Sequence, residues 1–68
     1  EYFFYYEALA HFRLEEYDLY EESLFRCYNV LHMDGNKKKI EKFTKLIEKD
    51  FDINFDMFVI KYLEKDIL

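Results

Sequence analysis

Apolar residues recur at helical spacing along most of this chain. From Leu19 the positions Tyr20, Leu24, Cys27, Tyr28 and Leu31 follow the 3.6-residue period and predict a helix ending near Met33. Asp18 is placed to cap it, with Glu21 three residues on completing an acidic capping box. Gly35 predicts the stop, because it takes the left-handed conformation past a helix end, and His32 sits in the last turn. Asn36 then predicts the cap of a helix over 37–50, striped by Ile40, Phe43, Leu46 and Ile47. Lys37, Lys38 and Lys39 oppose that helix's dipole, which blurs its start.

The first stretch breaks the rhythm. Residues 2 to 6 read Tyr2, Phe3, Phe4, Tyr5, Tyr6, so a helix over 2–15 is apolar on nearly every side. A surface helix normally turns a polar side to water. Glu15, Glu16 and Tyr17 form the connector that follows. The stretch Phe51–Asp52–Ile53–Asn54–Phe55 has two readings. Asp52 or Asn54 caps a fourth helix over 55–67, with Phe55, Phe58, Val59, Tyr62 and Leu63 on one face. Alternatively one long helix runs from 37 to 66. A break is favoured, because a long helix in so short a chain leaves much of its stripe uncovered.

Four segments with no Pro and one Gly give an all-α fold class: a helical hairpin over 1–36 followed by one or two further amphipathic helices. The 68 residues make one small domain, and the missing initiator Met points to a piece of a longer chain. The net charge of -5 disfavours nucleic acid as a partner. Residues 37–49 nevertheless hold six lysines and two glutamates between acidic flanks, as a solvated face or a weak membrane-surface binder. The single cysteine, Cys27, allows no internal disulfide and suits a reducing compartment such as the cytosol.

No pattern for chemistry emerges. Ser23 and Thr44 lack a His and an acid at a recognisable spacing, so no nucleophile is assigned. His11, His32 and Cys27 do not share a face suited to zinc. The acidic cluster from Glu15 to Glu22 reads as a solvated bend. No cofactor, metal or catalytic residue is expected, and the chain reads as non-enzymatic.

A hairpin of about 34 residues has the tetratricopeptide period. Phe4, Ala8, Tyr17, Leu24 and Cys27 fit its large, small and apolar sites, whereas Glu7, Tyr20 and His32 depart from it. More narrowly, Tyr5, Tyr6, Ala8, Leu9, Phe12, Arg13, Leu14, Glu16 and Tyr17 resemble the start of the second repeat in the mitochondrial fission 1 protein family. Residues 37–50 resemble the basic helix that follows that repeat, so the likeness covers about residues 1–50. Ala10 and Glu15 stand where that family has glycines. The resemblance implies an adaptor on the cytosolic face of the mitochondrial outer membrane, recruiting a dynamin-related GTPase directly or through a bridging protein. Asp52, Asp56, Lys61, Glu64, Lys65 and Asp66 prevent residues 51–68 from spanning a bilayer, so either the anchor lies beyond Leu68 or the resemblance is to the fold alone.

In a repeat array the first helix of a hairpin has three contact faces, which accounts for the aromatic run. Helical spacing assigns Tyr2, Tyr5, Leu9, Phe12 and Arg13 to a groove for a helix or extended peptide, with core packing as the equal alternative. It turns Phe3 and Tyr6 toward an absent preceding repeat, where self-association covers them. The alternative is a structural or oligomerisation element of a larger scaffold.

Overall fold

The computed structural model describes residues 2–65. They form four α-helices with no strand among them: α1 (Tyr2–Arg13), α2 (Tyr17–Asp34), α3 (Lys37–Phe51) and α4 (Phe55–Glu64). The fold is all-α, as the pattern predicts. The chain divides into two compact units, one ending at Asp34 and the other beginning at Gly35.

In the first unit α1 and α2 pack against each other as an antiparallel pair. Tyr5 and Ala8 of α1 are buried, as are Tyr20, Leu24, Cys27 and Leu31 of α2. Ala8 is the small residue that lets the two helices approach. Phe12, near the end of α1, lays its ring against Tyr20 near the start of α2, with centroids 5.1 Å apart. Midway along, the buried Ser23 hydroxyl donates to Glu7 Oε1 at 2.8 Å. That bond gives Glu7 a structural role and satisfies the hydroxyl that burial removes from water.

The corner between α1 and α2 departs from expectation. α1 ends at Arg13 rather than at residue 15. Glu15 adopts a left-handed φ of 60°. Its N–H donates to the Phe12 carbonyl at 3.2 Å, and the Glu16 N–H reaches back to the His11 carbonyl at 2.9 Å. This pair of bonds is the Schellman closure. The His11 ring adds a contact from Nδ1 to Glu16 Oε1 at 3.0 Å. α2 then starts at Tyr17, with the Glu16 carbonyl accepting its first bond from Tyr20 N–H. Asp18 is therefore inside the first turn rather than at the cap, where its charge still suits the helix dipole. A side chain with a Cβ is strained in the left-handed region. Glu15→Gly is accordingly expected to stabilise the chain by about 1 kcal/mol, raising the midpoint of a circular-dichroism melt by about 5 °C. A lower midpoint would show that the closure depends on the Glu15 side chain.

At the end of α2, Gly35 takes a φ of 70°, as expected of the stop. Asn36 caps α3, its side-chain oxygen accepting from the Lys38 and Lys39 N–H groups. The favoured break is present: Asp52 turns left-handed at φ 53°, and α3 and α4 are separate helices. Asn54, of the two candidates, is the cap of α4 and accepts from Met57 N–H at 3.0 Å. Glu48 of α3 takes the Phe55 N–H at 3.0 Å, so two side chains satisfy the exposed donors of one helix start. Phe43, Ile47 and Phe51 of α3 are buried, as are Phe55 and Val59 of α4. Ile40, Leu46, Phe58 and Tyr62 are half-buried, whereas Leu63, expected on the same apolar face, is exposed. Residues 66 and 67 of the predicted fourth helix lie outside the described residues.

Candidate interaction surface

Helix geometry sorts the side chains of α1 by azimuth, because each residue advances about 100° around the axis. Tyr5 and Ala8 point inward, flanked by half-buried Phe4, Glu7, Leu9, His11 and Phe12. The opposite arc, roughly 120° wide at this spacing, carries Tyr2, Phe3, Tyr6, Ala10, Arg13 and, just past the helix, Leu14. All six are exposed. Phe3 keeps 70% of its surface accessible, Leu14 68%, Tyr6 61% and Tyr2 47%.

The groove expected from the sequence is thus redrawn. Tyr2 and Arg13 are exposed and Leu9 is half-buried beside them. Tyr5 is not part of a free surface: it is only 7% exposed and belongs to the core. Phe12 is half-buried and committed to α2, with its ring 6.1 Å from Tyr17 and 5.1 Å from Tyr20. The reason is azimuth. Tyr5 and Phe12 lie on the side of α1 that α2 covers, whereas Phe3 and Tyr6 lie opposite. Ala10 and Leu14 were missed by sequence reasoning, although the same 100° step places Ala10 between Tyr6 and Phe3.

The rings on this helix order one another. Tyr2 stacks on Tyr6 with centroids 6.3 Å apart, Phe3 meets Phe4 edge-on at 5.4 Å, and Tyr6 tilts against Tyr5 at 5.2 Å. Tyr6 is therefore braced from beneath by a core residue while most of its surface stays exposed. Such a ring presents contact area with little rotamer entropy left to lose on binding. Arg13 is the only ionic side chain on the arc. Across the hairpin, burial, and then the Glu21 carboxylate, push the Tyr20 phenol up to about 12, so it remains a neutral packing group.

A second apolar surface lies on α4, where Met57, Ile60 and Leu63 are exposed at intervals of three. Beside it Ile53, Asn54, Met57, Phe58 and Lys61 line an open, largely apolar depression of about 400 Å³. On α3 the lysines 37, 38, 39, 42, 45 and 49 are all exposed, while Phe43, Ile47 and Phe51 of its apolar stripe are buried. Cys27 is buried and forms no disulfide. Tyr28 and His32 pack ring to ring at a tilt in the last turns of α2, with centroids 4.1 Å apart. Among the described residues no three His, Cys, Asp or Glu side chains are grouped to hold a metal ion, and no helix is long and apolar enough to cross a membrane. No protein-family model matches the chain, and no curated protein or solved structure shows significant similarity to it.

Proposed function

We propose that the chain is a non-enzymatic protein-interaction module whose working surface is the outer face of α1. One observation supports this above the others: the helix commits Tyr5 and Ala8 to its own core, yet carries exposed Tyr2, Phe3, Tyr6 and Arg13 on the far side. These rings contact one another and their neighbours on α1, yet most of their surface lies outside the hairpin core. Tyr and Arg are the side chains that most often dominate binding energy. A narrow stripe along one helix fits a partner helix or an extended segment.

The resemblance to the fission 1 family suggests the specific form: a tetratricopeptide-like adaptor at the cytosolic face of the mitochondrial outer membrane. Its partner would be a dynamin-related GTPase or a bridging protein, and membrane attachment would come from a segment not in this sequence. The test is a titration of the labelled chain with a purified dynamin-related GTPase, read by fluorescence anisotropy. Arg13→Glu should weaken binding about tenfold or more with the circular-dichroism spectrum unchanged. Equal affinity in the variant would remove this face from the account, and no binding by the unmodified chain would remove the adaptor form of it.

The second reading is a structural or oligomerisation element of a larger scaffold. The exposed Met57, Ile60 and Leu63 of α4 favour it, since a second uncovered apolar face suits a piece packed on several sides.

A further inference from the structure

We infer that the outer face of α1 pairs with the same face of a second copy, antiparallel, in a register centred at the level of Ala8. The inference rests on reading that face as an interaction surface, and it names the occupant. Three features of the face carry it.

The face is self-complementary in shape. Its large rings, Tyr2, Phe3 and Tyr6, lie in the first half of the helix, and its smaller or aliphatic groups, Ala10 and Leu14 with half-buried Leu9 at the border, in the second. Antiparallel pairing about the level of Ala8 brings each half onto the opposite half of the other copy. Phe3 then meets the second copy's Leu14, and Tyr6 sits over the shelf made by the second copy's Leu9 and Ala10. The absence of side-chain bulk at Ala10 admits the ring and lets the axes approach to about 8–10 Å. A two-fold axis repeats every contact, so the interface closes at two copies.

The face is complementary in charge. In this register Tyr2 of each copy meets the second copy's Arg13, a cation on an aromatic ring. The two Arg13 side chains fall at opposite ends, roughly 15 Å apart along the axis at 1.5 Å per residue, beyond the screening length at physiological salt. Parallel pairing would instead set Arg13 against Arg13 and the large rings against each other. Glu7, at the border of the face, is already held by Ser23.

The area is sufficient. At about 200 Å² per large side chain, the exposed fractions amount to roughly 500–600 Å² per copy. The pair would therefore bury roughly 1,000–1,200 Å², at the lower edge of specific interfaces. A weak dimer follows, with a dissociation constant on the order of 10 μM.

The test is sedimentation of the full chain from about 1 to 500 μM, a range spanning that constant. The expected result is a monomer of 8.6 kDa when dilute and twice that mass when concentrated. Ala10→Glu changes an exposed site, so helicity should be kept while the dimerisation midpoint rises at least tenfold. For the register, a mixture of Phe3→Cys and Leu14→Cys chains should oxidise mainly to the mixed disulfide; Cys27, being buried, does not compete. A monomer at the highest concentration would overturn the inference, as would a dimer indifferent to Ala10→Glu or a preference of Phe3→Cys for its own kind. A strictly monomeric chain that still binds the GTPase through Arg13 would end the dimer and leave the module. A dimer that binds no GTPase would keep the dimer and remove only the adaptor form of the module.

Discussion

Tyr5→Ala is expected to cost about 3 kcal/mol of folding stability, while Tyr2→Ala, three residues away, costs less than about 0.5 kcal/mol. Tyr5 is buried beneath α2's side of the hairpin, and truncation leaves a cavity that neighbouring rings can fill only by leaving their rotamers. Tyr2 stands on the exposed arc, where its ring stacks on Tyr6 and truncation opens no cavity in the core. A chain of this size has a net stability of about 3–10 kcal/mol, so the first change removes a large part of it. Urea unfolding followed by circular dichroism measures both variants. Equal small costs would return Tyr5 to the groove that the sequence pattern suggested, and would contradict the division of α1 into a core face and a free face.

Phe43→Ala is expected to cost about 4 kcal/mol and to abolish a cooperative transition in the second unit. Phe43 is the more deeply buried of the two core phenylalanines of α3, at 1% exposure. α3 opens on three lysines and a single cap, so its own turns do not sustain it. Packing of Phe43, Ile47 and Phe51 must hold it, together with Phe55 and Val59 from α4. The amide resonances of Phe51 and Phe55, recorded by NMR through a thermal series, should lose their dispersion at temperatures where the unmodified chain keeps it. An unshifted series would mean that the caps at Asn36 and Asn54, rather than the apolar stripe, organise these helices.

The parts of the fold that were legible in the sequence are those governed by local chemistry. Asn36, Asn54 and Gly35 each satisfy a backbone requirement within a few residues, and each is found in that role. The stripes of α2 and α3 were legible because polar residues interrupt them regularly. The corner at Glu15 was not. Glutamate carries no local signal for a left-handed conformation, and it adopts one because the packed helices and the two closing hydrogen bonds outweigh the strain. Asp18 was misplaced for the same reason, since the Schellman closure begins α2 two residues earlier than the side-chain signal implied.

The exposed aromatic surface of α1 was legible in kind but not in azimuth. Five consecutive aromatics erase the contrast between faces that periodicity relies on. Choosing between Tyr5 and Tyr6 as the exposed ring requires knowing which side α2 covers, and that is set by contacts about fifteen residues away in the chain, such as Ser23 to Glu7. Ala10 was overlooked because small residues attract attention where helices touch within a fold, not on a free face.

The most direct measurement is the light-induced reactivity of individual tyrosines toward a flavin dye, read by NMR on the dilute chain and again on the concentrated one. The account predicts strong signals from Tyr2 and Tyr6 and none from Tyr5 in the dilute sample, with Tyr2 and Tyr6 losing intensity as copies pair. Comparable signals from Tyr5 and Tyr6 in the dilute chain would contradict it, because α1 would then have no distinct free face to offer a partner.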